Sequence, residues 1–147
     1  MLDSVTLDVE MGVFVVRYSG RVDFDDIRNG YSQMSQHPEF RPGLRAICDL
    51  RSAELELSGA DIRMVAVLVQ AIAPKWGESK WLAVVGSDVT FGLLRMFISL
   101  TDYCSISTMV VRDAADAGDW LGPGATVCDI LDAADCGAVK SGPAAAS

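Results

Sequence analysis

The sequence predicts an α/β fold, a mixed and mostly parallel five-stranded sheet with elements in the order ββαβαβαβα. Three observations predict it. Short apolar runs of strand length alternate with helix-length segments, which implies crossover connections between parallel strands. The first two runs lie too close together for a crossover, so they pair antiparallel. Trp81-Leu82-Ala83-Val84-Val85 is continuously apolar, as expected of an interior parallel strand buried on both faces.

The elements follow in order. Val5, Leu7, Val9 and Met11 alternate with Thr6, Asp8 and Glu10, the period-two pattern of a half-buried strand. Gly12 permits a tight turn, and Val13 to Tyr18 forms the second strand. Asp23 is placed to cap a helix, with Asp26 at its third position. Phe24, Ile27, Tyr31 and Met34 fall on one stripe of that helix, and Gly30 weakens it by about 1 kcal/mol relative to Ala. Pro38, Pro42 and Gly43 mark its end, and Leu44 to Leu50 reads as a buried third strand. Ser58 caps the next helix with Asp61 three residues on, and Pro74 and Gly77 bound it. After the Trp81–Val85 strand, Asp88 opens a helix to about Tyr103, with Leu93, Leu94, Phe97 and Ile98 inward. Ser107 to Val111 is the last strand. Asp113 opens a short final helix that turns Ala117, Trp120 and Leu121 inward. The domain spans 1–122. Residues 123–147 form a C-terminal extension, with a short helix carrying Val127, Ile130 and Leu131 and then a loose Gly/Ala/Ser/Pro-rich tail.

At 147 residues the chain suits one domain with a real core, and 50% hydrophobic residues fit compact folding. A net charge of −8 and no Lys/Arg run argue against nucleic acid and anionic membrane surfaces as partners. The first eight residues carry acids and lack the basic start of a secretory signal, so a cytoplasmic location is expected. Cys48, Cys104, Cys128 and Cys136 show no CxxC spacing and His37 is the lone histidine, so no structural zinc is expected. Reduced, buried thiols are the plainer reading.

One segment departs from the usual pattern. Within Ile62 to Ala73 only Arg63 and Gln70 are polar. A surface helix has one apolar stripe, whereas this one is apolar nearly all round, and one sheet face shelters only one side of it. It is too short to span a bilayer, which takes about 20 apolar residues. The domain's own sheet, a second copy of the chain, or an apolar ligand must cover the rest.

Four phrases carry a resemblance: Pro38-Glu39-Phe40-Arg41-Pro42-Gly43, Asp49-Leu50-Arg51, Phe91-Gly92-Leu93-Leu94-Arg95-Met96-Phe97, and the stretch from Ala114 to Gly122. Through them residues 4–122 resemble the SpoIIAA-like branch of the STAS domains (sulfate transporter and anti-sigma-factor antagonist). The resemblance implies a β/α superhelix on a mixed sheet. It also implies bacterial stand-alone relatives mostly without an assigned activity, for which apolar-ligand carriage has been suggested. In anti-sigma-factor antagonists, which are more distant, a kinase partner phosphorylates a serine in an Asp-Ser-Ser-Gly-like motif before the second helix. Here the matching stretch is Glu56-Leu57-Ser58-Gly59, so Ser58 is the corresponding phosphorylation candidate while the Asp-Ser pair before it is replaced. A phosphate there would suit a helix N-terminus, but a plain N-cap explains the residue without regulation.

Other constellations reduce to simpler readings. Asp113, Asp116 and Asp119 make a solvated acidic face that suits a first helical turn, not a shaped cation loop. Gly86-Ser87-Asp88 lacks a phosphate-loop pattern. A nucleophile with an adjacent base is not visible. Asp49 interrupts an apolar strand near its C-terminal end, where open α/β sheets place ligands, and Arg51 can pair with it. Arg95, between Leu94 and Met96, can hold an acidic group or simply reach water over apolar neighbours.

The sequence thus predicts a non-enzymatic, cytoplasmic regulatory or interaction module with no cofactor and no metal. Its ligand or partner surface comprises Met64, Val67, Leu68 and Ala71 with Phe91, Arg95 and Met96. A homodimer packed through helix 62–73 is the first arrangement expected, with an unknown protein partner also open. A carrier of an apolar small molecule or lipid between helices 62–73 and 89–103 is the second.

Overall fold

A computed structural model describes residues 1–122 and 127–132. Its elements are β1 (Leu2–Asp8), β2 (Val13–Val22), α1 (Phe24–Ser35), β3 (Arg45–Leu55), α2 (Gly59–Trp76), β4 (Ser79–Val85), α3 (Asp88–Thr101) and β5 (Ile106–Val111), followed by a short 3₁₀ turn at Ala114–Ala117. The five strands lie in the order β1-β2-β3-β4-β5. Only the β1–β2 pair is antiparallel, and β2 to β5 run parallel. This is the mixed, mostly parallel sheet and the element order read from the sequence.

Local chemistry places each element. Gly12 turns the hairpin with φ 69°, a left-handed conformation that suits glycine. Its N–H donates to Asp8 O at 2.8 Å, and Met11 N donates to the Asp8 carboxylate at 2.9 Å. Asp23 and Asp26 form a reciprocal capping box on α1, and Ser58 and Asp61 form another on α2. Helix α3 differs slightly from expectation. Ser87, not Asp88, is the N-cap and accepts from Thr90 N, while Asp88 occupies the first turn, where negative charge suits the helix dipole. Pro74 does not end α2, which continues to Trp76 and closes at Gly77, whose N–H donates to Ala73 O. A proline so near the C-terminus forfeits only one ladder bond, and its fixed φ is helical. The final helix is a 3₁₀ turn, capped by Asp113 accepting from Ala115 N.

Both faces of the sheet are covered. Phe14, Val16 and Tyr18 of β2, Ala46 and Leu50 of β3, and Trp81, Ala83 and Val85 of β4 meet α1, α2 and α3 in one core. The alternate residues Val13, Val15, Ile47, Leu82 and Val84 form a second core under Ala117, Leu121, Val127, Ile130 and Leu131. Residues 127–132 are helical, so the early part of the C-terminal extension packs on the sheet. The tail expected beyond it, from Gly137, lies outside the described residues. In the first core Trp76 is fully buried among Phe14, Phe40 and Trp81, with ring centroids 5.0–5.8 Å apart, the edge and tilted geometries that aromatic quadrupoles favour.

Candidate functional site

Helix α2 turns Ile62, Val65, Ala66, Val69, Ala73 and Trp76 into the core. Its opposite side is also apolar. Met64 is 52% and Val67 63% exposed, and with Ala60, Arg63, Leu68 and Ala71 they line an open surface depression of about 580 Å³. Leu68 is half-buried and Ala71 exposed. The structure therefore brings Met64, Val67, Leu68 and Ala71 together on one outward face. Phe91, Arg95 and Met96 do not line that depression. Phe91 and Met96 are half-buried and pack against the first core, while Arg95 is exposed on α3.

Asp49 sits on the other face of the sheet and is only 5% exposed. Strand β3 does not stop at Leu50, so Arg51 stands two residues along the same strand and on the same face. Arg51 Nε and Nη2 donate to the two oxygens of Asp49 at 2.9 Å each, and Arg51 N donates at 3.2 Å. Arg17, across the parallel register from Asp49, adds Nη1 at 2.9 Å. Arg17 Nη2 also donates to Leu131 O at 3.0 Å, tying the C-terminal segment to β2. Burial alone would raise the Asp49 carboxyl. The Arg51 hydrogen bonds, then the Arg51 and Arg17 charges, outweigh burial and hold it below its ordinary value. Sequence reasoning paired Asp49 with Arg51 but missed Arg17, whose only signal was a cation ending the apolar run Val13–Val16.

A partly open cavity of about 60 Å³ lies between the sheet and the helices. Ile62 and Val65 of α2 and Leu94 and Phe97 of α3 wall one side, and Cys48 and Trp81 of the sheet wall the other. It lies beneath the helix pair in which a ligand space was expected, but Phe91, Arg95, Met96 and Met64 do not contribute to it. Burial, then the Asp49 charge, pushes the Cys48 thiol up to about 12. Burial, then Cys48, raises Tyr31, and burial foremost raises Tyr18. At neutral pH all these groups are uncharged.

The remaining candidates hold structural positions. Ser58 Oγ accepts from Asp61 N at 3.1 Å and is an exposed N-cap. His37 Nδ1 accepts from Glu39 N at 3.1 Å, and its ring packs edge-on to Phe14. Among the described residues no group of three or more His, Cys, Asp or Glu side chains is arranged to hold a metal ion, and no helix is long and apolar enough to cross a membrane.

No family model matches the chain, and no curated protein matches it. Among solved structures, it is similar to an uncharacterized protein of the DUF3478 family with a SpoIIAA-like fold, from Shewanella loihica PV-4. That likeness has a TM-score of 0.47 at 14% identity, covering 74% of this chain and 83% of the other.

Proposed function

We propose that the protein is a non-enzymatic regulatory or interaction module that self-associates through the outer face of α2. The observation that supports this is the exposure of Met64 and Val67 on a helix whose opposite side is fully packed. Ala60, Met64, Val67 and Ala71 recur at spacings of four, three and four residues. That is the seam along which two helices interdigitate, and a two-fold axis would set each seam against its copy. Arg63 is the one charged side chain lining the depression, so no carboxylates oppose each other there. Covering a few hundred Å² at about 25 cal/mol per Å² supplies several kcal/mol before association costs, which suits a concentration-dependent dimer.

Sedimentation velocity over a concentration series tests this. Wild-type protein is expected to shift from monomer to dimer. Val67→Glu is expected to stay folded by circular dichroism and remain monomeric. Val65→Glu, at a position only 5% exposed, is expected to unfold and serves as the inward control. A Val67→Glu protein that still dimerises, or a wild type monomeric at all concentrations, removes this reading.

The partly open cavity favours a second reading, carriage of an apolar small molecule or lipid beneath helices 62–73 and 89–103. At about 60 Å³ it is smaller than the roughly 150 Å³ that admits benzene. A lipid chain would require Leu55, Leu57 and Leu94 to move outward, and all three are half-buried. Native mass spectrometry after gentle purification separates the readings: a bare dimer supports association, and a monomer carrying an adduct supports carriage.

A further inference from the structure

We infer that Arg41 and Arg45 form a binding site for a small oxyanion, the phosphate or carboxylate group of a small molecule. Gly12 turns the β1–β2 hairpin at φ 69° and leaves open the space where a side chain would stand. Arg41 Nη2 and Arg45 Nη2 lie 3.6 and 3.9 Å from the point that a Cβ there would occupy, and Leu44 Cδ2 bounds the same spot with carbon at 3.4 Å. Two guanidinium groups thus converge on one place, and neither forms an ion pair among the described residues. Asp8 of the same hairpin turns its carboxylate to Met11 N instead. Arg17, Arg21, Arg28, Arg51 and Arg112 each meet a carboxylate, in a chain with 20 acidic residues against 12 basic ones. Two like charges brought together unopposed, where acids are in surplus, suit a site whose counter-charge arrives with a ligand.

Arg45 is held in place before any ligand arrives. It is half-buried, its Nη2 donates to Met11 O, and its Nη1 passes close to Gly122, another residue without a side chain. A guanidinium carries several N–H donors in a planar fork, so one anchoring acceptor leaves others for a phosphate or carboxylate. Arg41 is exposed, and its guanidinium has no hydrogen-bond partner among the described residues, so it is available to close over an anion. Lys80 adds positive charge nearby. It precedes Trp81, whose register partner Ala46 follows Arg45, so Arg45 and Lys80 stand side by side on β3 and β4. None of these three cations lines the α2 depression or the cavity, so the site goes beyond both the association and the carriage readings.

Titration of the ¹⁵N-labelled full chain at neutral pH with sodium phosphate, sodium acetate and sodium chloride, at matched ionic strength, tests the site. The Gly12 and Gly122 amide cross-peaks are the reporters. Phosphate or acetate is expected to move them to saturation, and chloride is not. Tighter phosphate binding assigns a phosphoryl ligand, and equal or tighter acetate binding assigns a carboxylate. Arg41→Gln and Arg45→Gln are each expected to weaken the tighter anion about tenfold, the loss of one charge-assisted hydrogen bond. Shifts that chloride reproduces, or an affinity unchanged in Arg41→Gln, overturn the site. Arg41 is exposed, so its variant decides the matter even if Arg45→Gln does not fold.

Discussion

Asp49 joins β2 to β3 and stands beside the contact that holds the C-terminal segment. Its carboxylate is buried, and Asn in its place leaves Arg17 and Arg51 one neutral acceptor oxygen instead of two charged ones, with an NH2 donor facing them. Asp49→Asn is expected to cost about 1–3 kcal/mol in urea unfolding, a range kept low because Arg51 is partly solvated. The pH dependence has a definite sign. With its folded-state value lowered, Asp49 contributes its full stability above the unfolded-chain value near about 3.9, and the contribution is lost as pH falls through the folded-state value. Asp49→Asn is therefore expected to flatten the acid limb of a stability-versus-pH curve. Gly30 offers a second test. Its Cα faces the Tyr18 hydroxyl so closely that a methyl group there would overlap it. Gly30→Ala is expected to destabilise by about 1–3 kcal/mol despite Ala's better helix propensity. Adding Tyr18→Phe is expected to restore stability, and a double-mutant cycle by thermal unfolding measures the coupling. The glycine was legible in the sequence only as a helix weakness; its reason is a tertiary contact that no local pattern encodes.

At the scale of elements, helix starts were the most readable features, because a cap is a local hydrogen-bond problem solved within four residues. Asp23 with Asp26 and Ser58 with Asp61 form the boxes their spacing implied. Ser58→Ala is expected to cost about 1 kcal/mol, read as a shift in the denaturation midpoint, and Ser58→Asp much less, since aspartate caps as well. Element ends were less legible. Strand β3 runs on to Leu55 through Arg51 and Glu54, because its pairing with β2, which reaches Leu55, holds polar residues in the ladder. The apolar helix illustrates both sides. Its surplus of apolar residues was visible in the composition of 62–73, and Met64 and Val67 do face outward. Which α3 residues share that face depends on how α2 and α3 cross, and the sequence does not state a crossing angle. Phe91, Arg95 and Met96 were accordingly grouped with a depression they do not line.

At the scale of the whole molecule, the sheet has two differently built coats. Three helices cover one face, while the other is covered by a 3₁₀ turn and residues 127–132, with Val127, Ile130 and Leu131 each at most 4% exposed. Burying side chains of this kind is worth about 1.5–3 kcal/mol each before ordering costs. A chain ending at Gly122 is expected to lose at least a few kcal/mol of stability and to bind a hydrophobic dye, measured by urea unfolding and by fluorescence. The sheet and its order were readable because each strand and crossover announces itself locally. The second coat was legible only as a turn and a short helix with their apolar residues; that they close over this sheet face rests on long-range contacts, among them the bond from Arg17 to Leu131, 114 residues apart. That separation bears on how the protein is made. A ribosome releases β1 through β5 before it releases the piece that closes over Val13, Ile47 and Leu82. For that interval the nascent polypeptide carries a bare oily surface, the kind of surface that chaperones bind and that seeds aggregation when synthesis stalls.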